Sequence, residues 1–255
     1  MLRPSGFVSS PSWPWPWPIP STPWAYVDPL IGTINGGQVF AGATLPYGLA
    51  KAVADVDNGG NGENTSGFDS PTGPTLGNFP LFPQICPDDG DVNSCSFRIG
   101  DRKVGYVPES IVASPGSFAI TPKSNVSAVM TVAGKTAVYR FTFPPSGRMM
   151  GNGTFLPSFG SGSFPMFFCV DWFGADMYET GVWVNNRAGS EPKQISVSRV
   201  FNNFYLEAGG FARFRIVKDQ SVTARVGLSF KSSTQACFSA EKDASDPLGQ
   251  FESLQ

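Results

Sequence analysis

Between residues 117 and 230 apolar and polar positions alternate in short runs separated by glycine, proline and polar clusters. In residues 136–143, Val138, Arg140 and Thr142 face one way, while Ala137, Tyr139, Phe141 and Phe143 face the other. A period of two is the signature of strands, because successive side chains leave opposite faces of a pleated backbone. The pattern predicts strands over 117–121, 126–132, 137–143, 165–172, 180–184, 194–201, 203–206, 212–217 and 221–230. From residue 235 onward the composition shifts towards helix formers. Residues 1–24 alternate Trp13, Trp15 and Trp17 with Pro14, Pro16 and Pro18, which predicts an extended polyproline-like leader without a core of its own. Residues 55–76 read as a long polar loop. The resulting fold class is all-β: a large antiparallel β-sandwich, preceded by the Pro/Trp-rich segment and followed by the start of a helical linker.

Composition agrees with this picture. Charged residues make up 15% of the chain, well under the ~25% usual for soluble domains, so the chain is rich in core and turn residues. The net charge is −2 and the basic residues are scattered. A nucleic-acid partner needs a basic stripe, and none is visible. No run approaches the ~18 apolar residues of a membrane span. The chain has no histidine, which removes the usual zinc ligand, the commonest general base and any Ser-His-Asp triad.

Four cysteines change the picture further. Cys86 and Cys95 bracket a polar loop at the spacing of a local disulfide, a closure of roughly 3 kcal/mol. Cys169 and Cys237 are then left to join two distant strands; the alternative is four reduced thiols in a cytosolic protein. Sequons at Asn64, Asn125 and Asn152 point to a secreted protein or the secretory pathway. The first residues, however, lack the uninterrupted apolar stretch of a signal peptide. An incomplete N-terminus reconciles these facts better than a cytosolic location does.

Glycoside hydrolysis needs two carboxyl groups at a set separation. Asp55 with Asp57, and Asp171 with Asp176 and Glu179, are the nearest candidates, but their contexts suit turns, caps and interfaces better. Asp88-Asp89-Gly90-Asp91 lacks the spacing of a calcium loop. No catalytic residue and no metal ligand is assigned to this chain.

Residues 26–48, YVDPLIGTINGGQVFAGATLPYG, hold five glycines and two prolines yet keep Val27, Leu30, Ile31, Val39, Phe40 and Leu45. So many breakers beside so many anchors describe a loop of fixed shape. This stretch resembles the opening signature of glycoside hydrolase family 92, the calcium-dependent α-mannosidases. The resemblance continues through Gly77-Asn78-Phe79-Pro80-Leu81-Phe82-Pro83, Ala113-Ser114-Pro115-Gly116-Ser117-Phe118, Arg140-Phe141-Thr142-Phe143-Pro144, Gly151-Asn152-Gly153-Thr154-Phe155-Leu156-Pro157 and Gly181-Val182-Trp183-Val184-Asn185-Asn186-Arg187. The later stretches look most like fungal members.

The resemblance implies a supersandwich-like N-terminal domain that packs on a C-terminal helical catalytic barrel absent from this sequence. It divides the chain into a leader (1–24), a sandwich (25–238) and the start of a linker (239–255). It implies a carbohydrate-binding or structural part in an enzyme acting on mannose-containing glycans, with N-glycan processing as the setting. Calcium is expected for the complete enzyme and no cofactor for this chain alone. A candidate wall of the mannose pocket follows: Gly36, Gly37, Gln38, Phe40, Gly42 and Asp55, with Pro46 and Gly48 beside them. Gln38 stands where relatives usually show histidine. Residues 69–76 and 145–150 are shorter than the corresponding segments of relatives. The alternatives are a non-functional remnant or a free-standing mannose-binding module.

Overall fold

The computed structural model describes residues 22–33, 41–54, 81–87, 90–98, 101, 104–143, 148–151, 166–195, 207–217, 220–249 and 251. Residues 1–21 of the polyproline-like leader, the 55–76 loop and the strand at 203–206 therefore lie outside the described residues, as does most of the one at 194–201; at the end of the leader, Pro23–Tyr26 form a 3-10 turn.

Antiparallel pairing dominates. β1 (Ala43–Thr44) pairs with β2 (Lys51–Ala52), and β3 (Leu81–Gln84) with β8 (Arg148–Gly151). β4 (Val112–Ser114), β5 (Ser117–Ile120), β6 (Ser127–Ala133), β7 (Thr136–Thr142), β9 (Phe167–Phe173) and β13 (Ser221–Ser229) form a six-stranded sheet in the order β4-β5-β6-β7-β13-β9. β10 (Asp176–Val184), β11 (Arg187–Gly189) and β12 (Ala208–Arg215) form a second sheet in the order β11-β10-β12. The helix α1 spans Ser233–Asp243.

The period of two decides which residues meet. Ala137, Phe141 and Phe143 enter the main core with Phe118, Ile120, Met130, Val222 and Val226. Ala212 and Phe214 of β12 meet them from the other layer, and the Phe214 ring lies 5.5 Å from that of Trp172. Ala43 and Ala52 are fully buried in the same core, so the β1–β2 hairpin also lies against the inner face of the large sheet. Burial pushes the Tyr139 phenol up to about 12, because an apolar surrounding disfavours the phenolate.

The outer face of the large sheet is closed by α1. Ser232 caps the helix by accepting from the Gln235 amide at 3.1 Å, satisfying a donor that the first turn leaves free. Ala236, Ser239 and Ala240 form its buried face. The fit is close: a Cβ on Gly227 would collide with the Ala236 carbonyl and lie 2.8 Å from the Ala240 Cβ. Beyond the helix, Ala244 and Phe251 pack on Val138, and Arg140 donates to the Leu248 carbonyl at 2.6 Å. The boundary expected at residue 238 falls inside this helix.

Sequence periodicity placed the long strands well but lost the short ones. β1, β2, β3, β4, β8 and β11 span two to four residues each, too few to display a period. β10 begins at Asp176 and β12 at Ala208, four residues ahead of the expected starts.

Candidate functional site

The signature segment begins with a tight double turn. Asp28 Oδ1 accepts from the Leu30 amide at 2.9 Å, and Thr33 Oγ1 donates to the Leu30 carbonyl at 2.7 Å. Thr33 is buried, which makes it an internal brace. Gly36, Gly37, Gln38 and Phe40 lie outside the described residues, as does Asp55. Of the expected pocket wall, Gly42 is the residue whose surroundings are defined. A Cβ there would lie 2.6 Å from the Ala52 carbonyl oxygen and 2.9 Å from the Val53 Cβ. Gly42 therefore serves the close packing of the β1–β2 hairpin.

The hairpin tip presents what the sequence reading passed over. Gly48 donates its amide to the Leu45 carbonyl at 3.1 Å, closing a turn with Pro46 at the first corner and Tyr47 at the second. Tyr47 has φ +61°, a region that type II turns require and that glycine or asparagine normally fills. Its ring is fully exposed, and Leu45 and Leu49 beside it are 38% and 41% exposed. The base of the tip is fixed: the Leu49 and Ala50 amides donate to the Gly134 carbonyl at 3.1 and 3.5 Å. Gly134 has φ +56°, and a Cβ on it would lie 2.7 Å from Asp243 Oδ2. That same oxygen accepts from the Lys135 amide at 2.8 Å. The β6–β7 turn thus joins the signature hairpin to the end of α1. Partial desolvation on β2 pulls the Lys51 ammonium pKa down.

The acidic trio separates. Asp171 on β9 meets Arg225 directly across the strands, at 2.6 Å from Nη2 and 3.0 Å from Nε. Arg225 Nη1 reaches the Ala244 carbonyl at 2.9 Å. Asp176 meets Arg215 at 2.8 Å, and Glu179 meets Arg213 at 2.5 Å, again as cross-strand partners. Each carboxylate is held by its own guanidinium, so the three do not form an acid–base pair. Asp91 accepts from the Asn93 amide at 2.9 Å and caps the short turn Val92–Ser94. Asp88 and Asp89 lie outside the described residues, and no group of three or more potential metal ligands occurs among those described.

Two disulfides brace the frame. Cys86 and Cys95 are bonded, and with Val92 and Phe97 they cover Trp183 and Phe211 on the outer face of the small sheet. Phe97 stacks on Trp183 at 5.4 Å. Asn186, in the β10–β11 turn, accepts from the Phe97 amide at 2.7 Å, and Asn93 exchanges bonds with the Ala188 backbone. Cys169 bonds Cys237. Here the expectation of two linked strands is corrected, because Cys237 lies on α1 and the bond ties that helix to the edge strand β9. Asn125 is exposed in a turn with φ +61°; Asn64 and Asn152 lie outside the described residues.

Residues 26–150 match the model of the glycosyl hydrolase family 92 N-terminal domain. An uncharacterized secreted glycosidase of Arthroderma benhamiae is 44% identical over 277 residues, taking in 90% of this chain and 36% of that protein. The matched stretch is longer than the 255-residue chain itself, so that glycosidase carries residues inside it that this chain lacks. A family GH92 alpha-mannosidase from Bacteroides thetaiotaomicron superposes with a TM-score of 0.60 at 18% identity, over 86% of this chain and 35% of that one. The family GH92 inverting mannosidase of the same bacterium gives 0.59 at 15% identity, over 87% and 33%. The chain thus spans about a third of the length of these relatives. In motif series and in fold alike, the chain belongs to glycosyl hydrolase family 92, whose N-terminal domain it carries.

Proposed function

We propose that this chain is the sandwich part of an α-mannosidase-like glycoside hydrolase acting on mannose-containing glycans, and that it does not turn over substrate by itself. The observation that carries the second half is the fate of the carboxylates: Asp171, Asp176 and Glu179 are each held by an arginine. Glycoside hydrolysis needs one carboxyl free to donate a proton and another free to activate water or attack. The described residues do not fit a calcium shell either, since calcium takes six to eight oxygens and Asp91 is committed to a turn. A calcium requirement in this reading belongs to the rest of the longer enzyme.

The sandwich's own contribution in this reading is the signature segment, with Gly36, Gly37, Gln38, Phe40 and Asp55 as candidate contacts to a mannose unit. We carry the domain through Phe251, because α1 and the residues after it pack on the large sheet. Secretion is part of the same reading, supported by the two disulfides, the exposed Asn125 sequon and the secreted relative.

The test is an assay of the purified chain, from a secretory host, against an aryl α-mannoside with and without a chelator. No turnover above background is expected. Replacing the matched third of the Arthroderma glycosidase with this chain is expected to give an enzyme that hydrolyses it. Chelator-sensitive turnover by the chain alone would overturn the reading.

A further inference from the structure

The turn that leads into β6 holds an asparagine whose carboxamide the fold leaves unused. The Asn125 amide donates to the Pro122 carbonyl at 2.9 Å and closes that turn. The turn is pinned from the side, because Val107 donates to the Thr121 carbonyl at 2.9 Å and Lys123 to the Gly105 carbonyl at 2.7 Å. Asn125 ends it with φ +61°, a conformation that asparagine tolerates better than most residues with a Cβ.

Other asparagines show what a purely structural role looks like. Asn186 also has a positive φ, +64°, and its Oδ1 accepts from the Phe97 and Arg98 amides at 2.7 and 3.2 Å. Asn93 spends its carboxamide on the Ala188 backbone. The Asn125 carboxamide is exposed and has no hydrogen-bond partner among the described residues. The two residues after it are fixed. Val126 is fully buried in the main core, and Ser127 is half-buried at the start of β6, where it pairs with Thr142. Successive side chains of an extended backbone leave opposite faces, so an inward valine separates a bare asparagine from a serine. Asparagine, a residue other than proline and then serine form the acceptor pattern for N-glycosylation.

We propose that Asn125 carries an N-linked glycan. In the transfer, the carboxamide nitrogen of Asn125 bonds to the anomeric carbon of an oligosaccharide held on a lipid through pyrophosphate. The bond from that carbon to the pyrophosphate oxygen breaks, the lipid pyrophosphate leaves with the electron pair, and one amide proton passes to solvent. Nothing is oxidised or reduced. The glycan, bulky and hydrophilic, then projects into solvent from a turn that the 105–107 segment holds in place. This rests on the reading of the chain as part of a secreted enzyme.

The experiment expresses the chain behind a secretory leader in a eukaryotic host. All chain that enters the pathway, released or retained, is deglycosylated enzymatically in heavy-oxygen water and mapped by mass spectrometry. Aspartate bearing heavy oxygen is expected at position 125 in most of the protein. That label is expected to vanish with Asn125→Gln and with Ser127→Ala, and to persist with Ser127→Thr, which keeps the hydroxyl. A bare Asn125 in the disulfide-bonded chain would overturn the inference while leaving secretion standing, and so would modification confined to Asn64 or Asn152. Label that survives Ser127→Ala would overturn it too, by tracing the signal to spontaneous deamidation. Unpaired cysteines would count against secretion instead, and the occupancy of Asn125 is read from the same digest in either case.

Discussion

The two ends of the β6–β7 turn look onto opposite kinds of surface. On one side lies the outer face of the large sheet, where α1 covers Gly227, Arg225 pairs with Asp171, and Cys169–Cys237 fixes the helix to β9. On the other side the β1–β2 hairpin rises to Leu45, Tyr47 and Leu49, all left in solvent. The first surface resolves its apolar and charged groups within the domain. The second buries its alanines and holds its large side chains outward. Among the described residues, one face thus satisfies its groups internally while the hairpin tip leaves its ring in solvent.

Substitutions on the closed face are expected to unfold the domain in proportion to what they remove. Cys169→Ser with Cys237→Ser opens a loop with a sequence separation of 68, and a loss of about 4 kcal/mol is expected from the chain-entropy account, measured by chemical denaturation. Gly227→Val drives a side chain into the Ala236 carbonyl. It is expected to cost about 3 kcal/mol and to expose α1 to proteolysis. A change of less than about 0.5 kcal/mol in either case would mean that α1 is not seated as described.

Smaller effects sharpen the contrast. The Tyr139 phenol packs against the main core and is raised to about 12, against about 10 in the unfolded chain. Above pH 10 the unfolded state then holds fewer protons than the folded one, so stability falls as pH rises from about 10 towards 12. Tyr139→Phe is expected to flatten that alkaline limb of the melting profile, and an unchanged limb would assign it to other groups. At the tip, Leu49→Ser is expected to shift stability by no more than about 0.5 kcal/mol. A larger loss there would erase the difference between the two regions.

Much of the closed region was readable in advance. The two faces of β7 follow from strict alternation, and the composition after residue 235 announced a helix. What sequence did not disclose was contact across the fold. Asp171, Asp176 and Glu179 sit close together in the chain, which suggested a cluster. The chain instead crosses from one sheet to the other between β9 and β10, and the three carboxylates meet arginines 54, 39 and 34 residues away. Gly42 entered the expected pocket wall on the resemblance alone, and sequence did not disclose that the backbone it admits is that of Ala52. Tyr47 went unnoticed because a backbone angle leaves no mark on composition. The signal available was Pro46-Tyr47-Gly48, a turn with the wrong residue at its second corner.

The most direct measurement is amide hydrogen exchange of the 255-residue chain. The account predicts slow exchange over α1 and β13, which close on each other, and fast exchange at the exposed Tyr47. Fast exchange over α1 would contradict it, because the helix would then not close the outer face of the large sheet.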